Sequence, residues 1–100
     1  MKMLYVFNET FDKNEKLIIS WNNGLKVKGS SLTGVYETDT ELGEDGYIGD
    51  YAATVNEIQV LRNGRDHSIE IYNDSIEISL ACIPNRITTE EGRVLWQSLP

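Results

Sequence analysis

Short apolar runs separated by Asn, Asp and Gly recur along this 100-residue chain, a punctuation that predicts antiparallel β-hairpins. The first run, Met3 to Phe7, is apolar at every position. Such a run suits a strand covered on both faces or a core helix segment, and its shortness favours the strand. Next, Leu17-Ile18-Ile19-Ser20-Trp21 and Leu25-Lys26-Val27-Lys28 flank Asn22-Asn23-Gly24. A two-residue loop at Asn23-Gly24 would set Trp21 opposite Lys26 and Ile19 opposite Lys28, mixing apolar and charged groups on one face. A three-residue loop with Gly24 left-handed pairs Trp21 with Leu25 and Ile19 with Val27, leaving Ile18 and Ser20 beside the lysines. The pattern predicts the second register and assigns Trp21 to the core.

Farther on, Ser68 to Tyr72 and Ser75 to Cys82 surround Asn73-Asp74. A two-residue loop there matches Ile71 with Ile76, Ile69 with Ile78 and His67 with Leu80, one apolar face throughout. The preceding strand, roughly Ala52 to Leu61, joins this pair in one of two registers, with Ile58 opposite Ile69 or opposite Ile71. In the second, Glu57, Glu70 and Glu77 gather on the outer face of a three-stranded meander, where like charges oppose pairing unless a cationic partner relieves them. Thr88-Thr89-Glu90-Glu91 fits a capping box and predicts a helix from about Thr89 to Ser98, with Val94, Leu95, Trp96 and Leu99 as its packing edge. The alternative is a hairpin turning at Glu91-Gly92, with Ile87 opposite Trp96. The expected architecture is one mainly β (α+β) domain: about seven short antiparallel strands in a sandwich or open barrel, with one short C-terminal helix covering an edge or mouth.

Charge narrows the partner class. Nine basic against sixteen acidic side chains give a net charge of −7, which repels nucleic acid phosphates and anionic lipid and attracts a basic protein. One cysteine makes no intrachain disulfide, no Cys/His cluster suggests zinc, and no apolar run is long enough to span a bilayer. These features predict a cytoplasmic protein with no membrane partner.

The longest irregular stretch, Thr38 to Asp50, reads T-D-T-E-L-G-E-D-G-Y-I-G-D. Aligned as a calcium loop from Glu41, it puts Gly43 where an oxygen ligand is needed and Ala52 where the bidentate glutamate belongs, so it is no EF-hand. Long loops carry binding function. Asp39, Glu41, Glu44 and Asp45 form an acidic rim here, and Tyr47 with Ile48 supplies an apolar contact. Alternatively, Tyr47, Ile48 and Tyr51 fold back to seal the core edge. Catalytic material is thin. His67 falls on the apolar face as a half-buried hydrogen-bonded residue, Cys82 continues the stripe of Ile76, Ile78 and Leu80 as a core residue, and no nucleophile, phosphate-loop or zinc motif occurs. No catalytic residue, metal or cofactor is implied. The reading that results is a non-enzymatic module docking a basic protein through the acidic loop and Glu57, Glu70 and Glu77. Immunity and antidote proteins that neutralise basic toxins work this way, an analogy of class that rests on no motif. A β-barrel carrying a small ligand is the alternative, and an enzyme using Cys82 and His67 is the third.

Overall fold

A computed structural model describes residues 2–13 and 15–98, though not the side chains of Lys2 and Asp12. Helix α1 (Lys2–Thr10) and a 3-10 turn (Phe11–Lys13) precede strands β1 (Lys16–Ser20), β2 (Lys26–Ser31), β3 (Tyr36–Glu37), β4 (Tyr51–Arg62), β5 (Ile76–Ser79), β6 (Arg86–Thr89) and β7 (Val94–Gln97). All pairings are antiparallel. The seven strands form one sheet in the order β3-β4-β2-β1-β6-β7, with β5 on the other edge of β4, curled into a half-barrel. The mainly β class is as expected, in one curled sheet.

The helix lies at the other end of the chain from the one expected. Met3 to Phe7 is not a strand: Met3, Leu4, Val6, Phe7 and Thr10 are buried while Tyr5, Asn8 and Glu9 face out. That is a helical stripe. It continues past the apolar run only through Thr10, a polar residue whose hydroxyl is satisfied by the Val6 carbonyl at 2.8 Å. This stripe packs into the hollow of the sheet against Leu17, Ile19, Val27, Val55, Ile78 and Ile87.

At the C-terminal end, residues 86–97 form the β6–β7 hairpin, with Ile87 opposite Trp96. The turn wins over the helix because Gly92 takes φ +94, a left-handed conformation that ends a helix at once. Thr89 still caps, accepting from the Arg93 N–H at 3.1 Å, but it caps a turn. Leu99 lies outside the described residues.

The β1–β2 hairpin has the predicted three-residue loop, with Gly24 at φ +95, Trp21 N–H bonded to the Leu25 carbonyl at 2.9 Å, and Ile19 opposite Val27. The β6–β7 turn repeats this geometry: Thr89 N–H bonds the Arg93 carbonyl and Gly92 N–H the Thr89 carbonyl, both at 3.0 Å.

The meander is different from either expected register. Asn73 and Asp74, at φ 50 and 61, make the two-residue turn, and Tyr72 bridges Ser75. Pairing stops there. Residues 63–71 form no strand, and β5 lies against the first half of β4, with Val55 opposite Ile76 and Ala53 opposite Ile78. What holds residues 62–68 elsewhere is the first hairpin's tip. Arg62 Nε donates to the Gly24 carbonyl, the Arg65 guanidinium to Asn22, and Asp66 accepts from Asn23 and from Ser68.

Curl comes from β4. Its register against β2 slips between Lys28 and Ser30 and again between Lys26 and Val27, and Glu57 sits at φ 54 inside the first slip. Extra residues on one strand bend it and raise its twist. Gly29 faces this bulge, where a β-carbon would lie 2.7 Å from Val55.

Candidate functional site

Thr38 to Asp50 connects β3 to β4 and is shaped from its neck. Thr38 N–H bonds the Asp50 carbonyl at 2.9 Å, and the hydroxyls of Thr38 and Thr40 both donate to the Gly49 carbonyl. Two successive turns follow, Glu41 to Glu44 and Glu44 to Tyr47, with Gly43 and Gly46 at positive φ. The Glu44 carboxylate accepts from the Glu41 N–H at 3.1 Å. Loop shape is therefore held by hydrogen bonds before any partner arrives, which lowers the entropy cost of docking.

Within that frame Asp39, Glu41, Glu44 and Asp45 are all exposed, whereas Tyr47 and Ile48 are half-buried. Tyr47 donates its hydroxyl to Asp50 at 2.9 Å, a bond that, with slight burial, raises its pKa above the usual 10. The apolar group that projects is Leu42, 84% exposed. It was missed because a leucine between glutamate and glycine shows no periodicity; its isolation inside a polar loop was the available signal. From Glu37 to Asp50 the chain carries six carboxylates and no base, so this end of the molecule is strongly negative.

Glu57, Glu70 and Glu77 are not brought together by the pairing that was to gather them, because the meander does not form. The Glu57 carboxylate is 2.6 Å from Lys16 Nζ, an ion pair made possible by the bulge. Glu77 accepts from the Tyr36 hydroxyl at 2.5 Å, and desolvation together with this bond raises the tyrosine's pKa. Glu70 lies on the irregular segment with Asp66 and His67, beside a cleft of about 420 Å³ that Val60, Ile71 and Tyr72 also line. This cleft stands open to solvent, and neither Trp21 nor Trp96 lines it.

His67 is exposed, contrary to its expected half-buried position, because the strand that would have turned it inward does not form. Cys82 is half-buried against the core, and burial pushes its thiol pKa up, only partly opposed by the nearby Trp21 indole. A raised thiol pKa leaves little thiolate at neutral pH. Among the described residues no three His, Cys, Asp or Glu side chains come together as metal ligands, and no helix is long and apolar enough to cross a membrane.

One feature of charge escaped the sequence altogether. The outer face of β4–β2–β1–β6 is basic: Lys16, Lys26, Lys28, Arg62 and Arg86 all lie on it, and only Lys16 and Lys28 have acidic partners among the described residues, Glu57 and Glu90. Six of the chain's sixteen acidic side chains thus lie in the 37–50 segment, and five of its nine basic ones on the sheet's outer face.

Compared with known proteins, the chain matches the family described as Cognate immunity protein YxxD over residues 1–99. No curated protein and no solved structure matches the chain. Read as a residue pattern, Tyr-x-x-Asp occurs twice here, at Tyr36–Asp39 and Tyr47–Asp50, the two ends of the acidic loop.

Proposed function

This chain belongs to the cognate immunity protein YxxD family, and from that membership we propose that it is a non-enzymatic antidote that neutralises a basic toxin protein by binding it. The observation that carries the docking surface is the 38–50 loop: a pinned neck, carboxylates at Asp39, Glu41, Glu44 and Asp45, and Leu42 projecting from among them. An apolar anchor inside a charged rim is the anatomy of a protein interface, the rim steering encounter and the anchor slowing release. Tyr47 and Ile48 support the loop from beneath, and Glu77, bonded to Tyr36 of the strand that leads into the loop, adds to the negative field beside it. The toxin is met in the cytoplasm, where the single thiol of Cys82 stays reduced.

The test is affinity capture from the native cell at low and high salt, followed by co-expression of the captured protein with this one. A basic protein retained at low salt, released at high salt and rendered harmless by co-expression is the expected result. A captured toxin that is acidic, or whose binding ignores salt, would overturn the docking mode.

A further inference from the structure

The register across the sheet places Arg62 opposite Lys26, Lys26 opposite Ser20, and Ser20 opposite Arg86, one cross-strand row over four strands. Side chains in such a row stand about 5 Å apart, and like charges directly opposite one another weaken pairing. Among the described residues none of these three cations has an acidic partner, although Lys16 and Lys28 on the same face do. The row floors a cleft of about 380 Å³ whose walls include Ile18, Asn85 and Thr88 and contain no acidic residue, in a chain of net charge −7.

We propose that this cleft is a binding site for a small multivalent oxyanion, a phosphate or carboxylate compound. Arg62 is already fixed, its Nε donating to the Gly24 carbonyl at 2.8 Å, which leaves the terminal amino groups of its guanidinium to grip an anion. Lys26 adds a mobile point charge, Arg86 a second planar fork from across the cleft, and Ser20 a hydroxyl between them. The buried Trp21 backs the cleft, and Asn85 completes its lining. The volume is that of roughly a dozen waters at about 30 Å³ each, which suits a compound of metabolite size. Binding would relieve the repulsion between Arg62 and Lys26, so ligand and fold stability are coupled.

Amide NMR titrations with pyrophosphate and with citrate, at ionic strength held constant by sodium chloride, test the proposal. Saturable shifts at Ser20, Lys26, Arg86 and Thr88 are expected, and the stronger of the two probes identifies the source as phosphate or carboxylate. The variant K26Q/R86Q should bind at least tenfold more weakly, while K13Q, on the 3-10 turn, binds as the parent does. If the double variant does not fold, R86Q alone, at an exposed position, should weaken binding by a smaller factor. Affinity unchanged in these variants, or shifts that chloride reproduces, would sink the site. Salt-sensitive self-association of the parent would assign the face to the acidic loop of a second copy, and loss of toxin neutralisation in K26Q/R86Q would assign it to the toxin; either overturns the small-anion reading. Retained neutralisation with lost anion binding supports it and leaves the antidote function standing separately.

Discussion

Gly49 packs so tightly on Leu80 that a β-carbon added to it would lie 2.8 Å from the Leu80 β-carbon. The same glycine sits at φ +106 and its carbonyl receives the Thr38 and Thr40 hydroxyls, so one residue joins the loop's neck to the end of β5. Gly49→Ala meets both backbone strain and a clash, and should cost about 1–3 kcal/mol in urea unfolding. Gly43→Ala, also at positive φ but with open space around it, should cost only the backbone part, about 1 kcal/mol. Equal losses in the two would show that the Leu80 contact is not tight.

Asp66 ties residues 62–68 to the first hairpin, and its pH behaviour reports that tie. Hydrogen bonds from the Ser68 hydroxyl, Asn23 and the Ser68 N–H lower its pKa from 3.8 to about 2. A carboxyl with a depressed folded pKa binds its proton more weakly in the native state. Its contribution to stability is therefore present above pH 3.8 and lost as pH falls towards 2. Melting temperature measured from pH 5 to pH 2 should show Asp66→Asn less stable than the parent at pH 5, with the gap closing near pH 2. A gap that stays constant would mean the carboxylate is not held by these bonds.

What was legible in the sequence was whatever local chemistry decides. Gly24 and the alternation around it fixed the β1–β2 register without reference to the rest of the fold. The five residues Thr89 to Arg93 repeat the pattern of Trp21 to Leu25, glycine fourth, and fold the same way. There the capping-box signal competed with the turn, since both use the Thr89 hydroxyl, and Gly92 decided between them. Helix α1 was ambiguous because five consecutive apolar residues carry no period; only Thr10, beyond the run, completes the stripe. Residues 63–71 were illegible for a different reason. Their partners at Asn22, Asn23 and Gly24 are some forty residues away, and no local pattern shows such a tie. The acidic loop could be read because its charges fall within one short stretch of sequence, whereas the basic row needs the order of four strands before Arg62, Lys26 and Arg86 become neighbours.

Cys82 gives a direct check on whether this protein has thiol chemistry. Burial raises its pKa, so the thiol should label slowly with a disulfide reagent at pH 7.5, at least tenfold slower than after unfolding in urea. Cys82→Ala should leave neutralisation of the toxin intact and cost about 1 kcal/mol from lost packing against the core. Rapid labelling of the native protein, together with loss of protection in the variant, would count against a purely binding role.

Leu42 separates the docking reading from a merely electrostatic one. Its side chain is 84% exposed and touches none of the loop's own hydrogen bonds, so Leu42→Ala should leave stability within about 0.5 kcal/mol of the parent. If the side chain enters a pocket on the toxin, truncation removes a desolvated anchor and should weaken binding by tenfold or more, chiefly through faster dissociation. Glu41→Gln with Glu44→Gln should act differently, slowing association and flattening its salt dependence while dissociation changes little. Surface plasmon resonance over a salt series reads both effects in one experiment. A Leu42→Ala variant that binds as the parent does, beside a charge variant that binds poorly, would leave the rim standing and remove the anchor. If both variants bind as the parent does, the toxin docks on some other face and the loop is not its site.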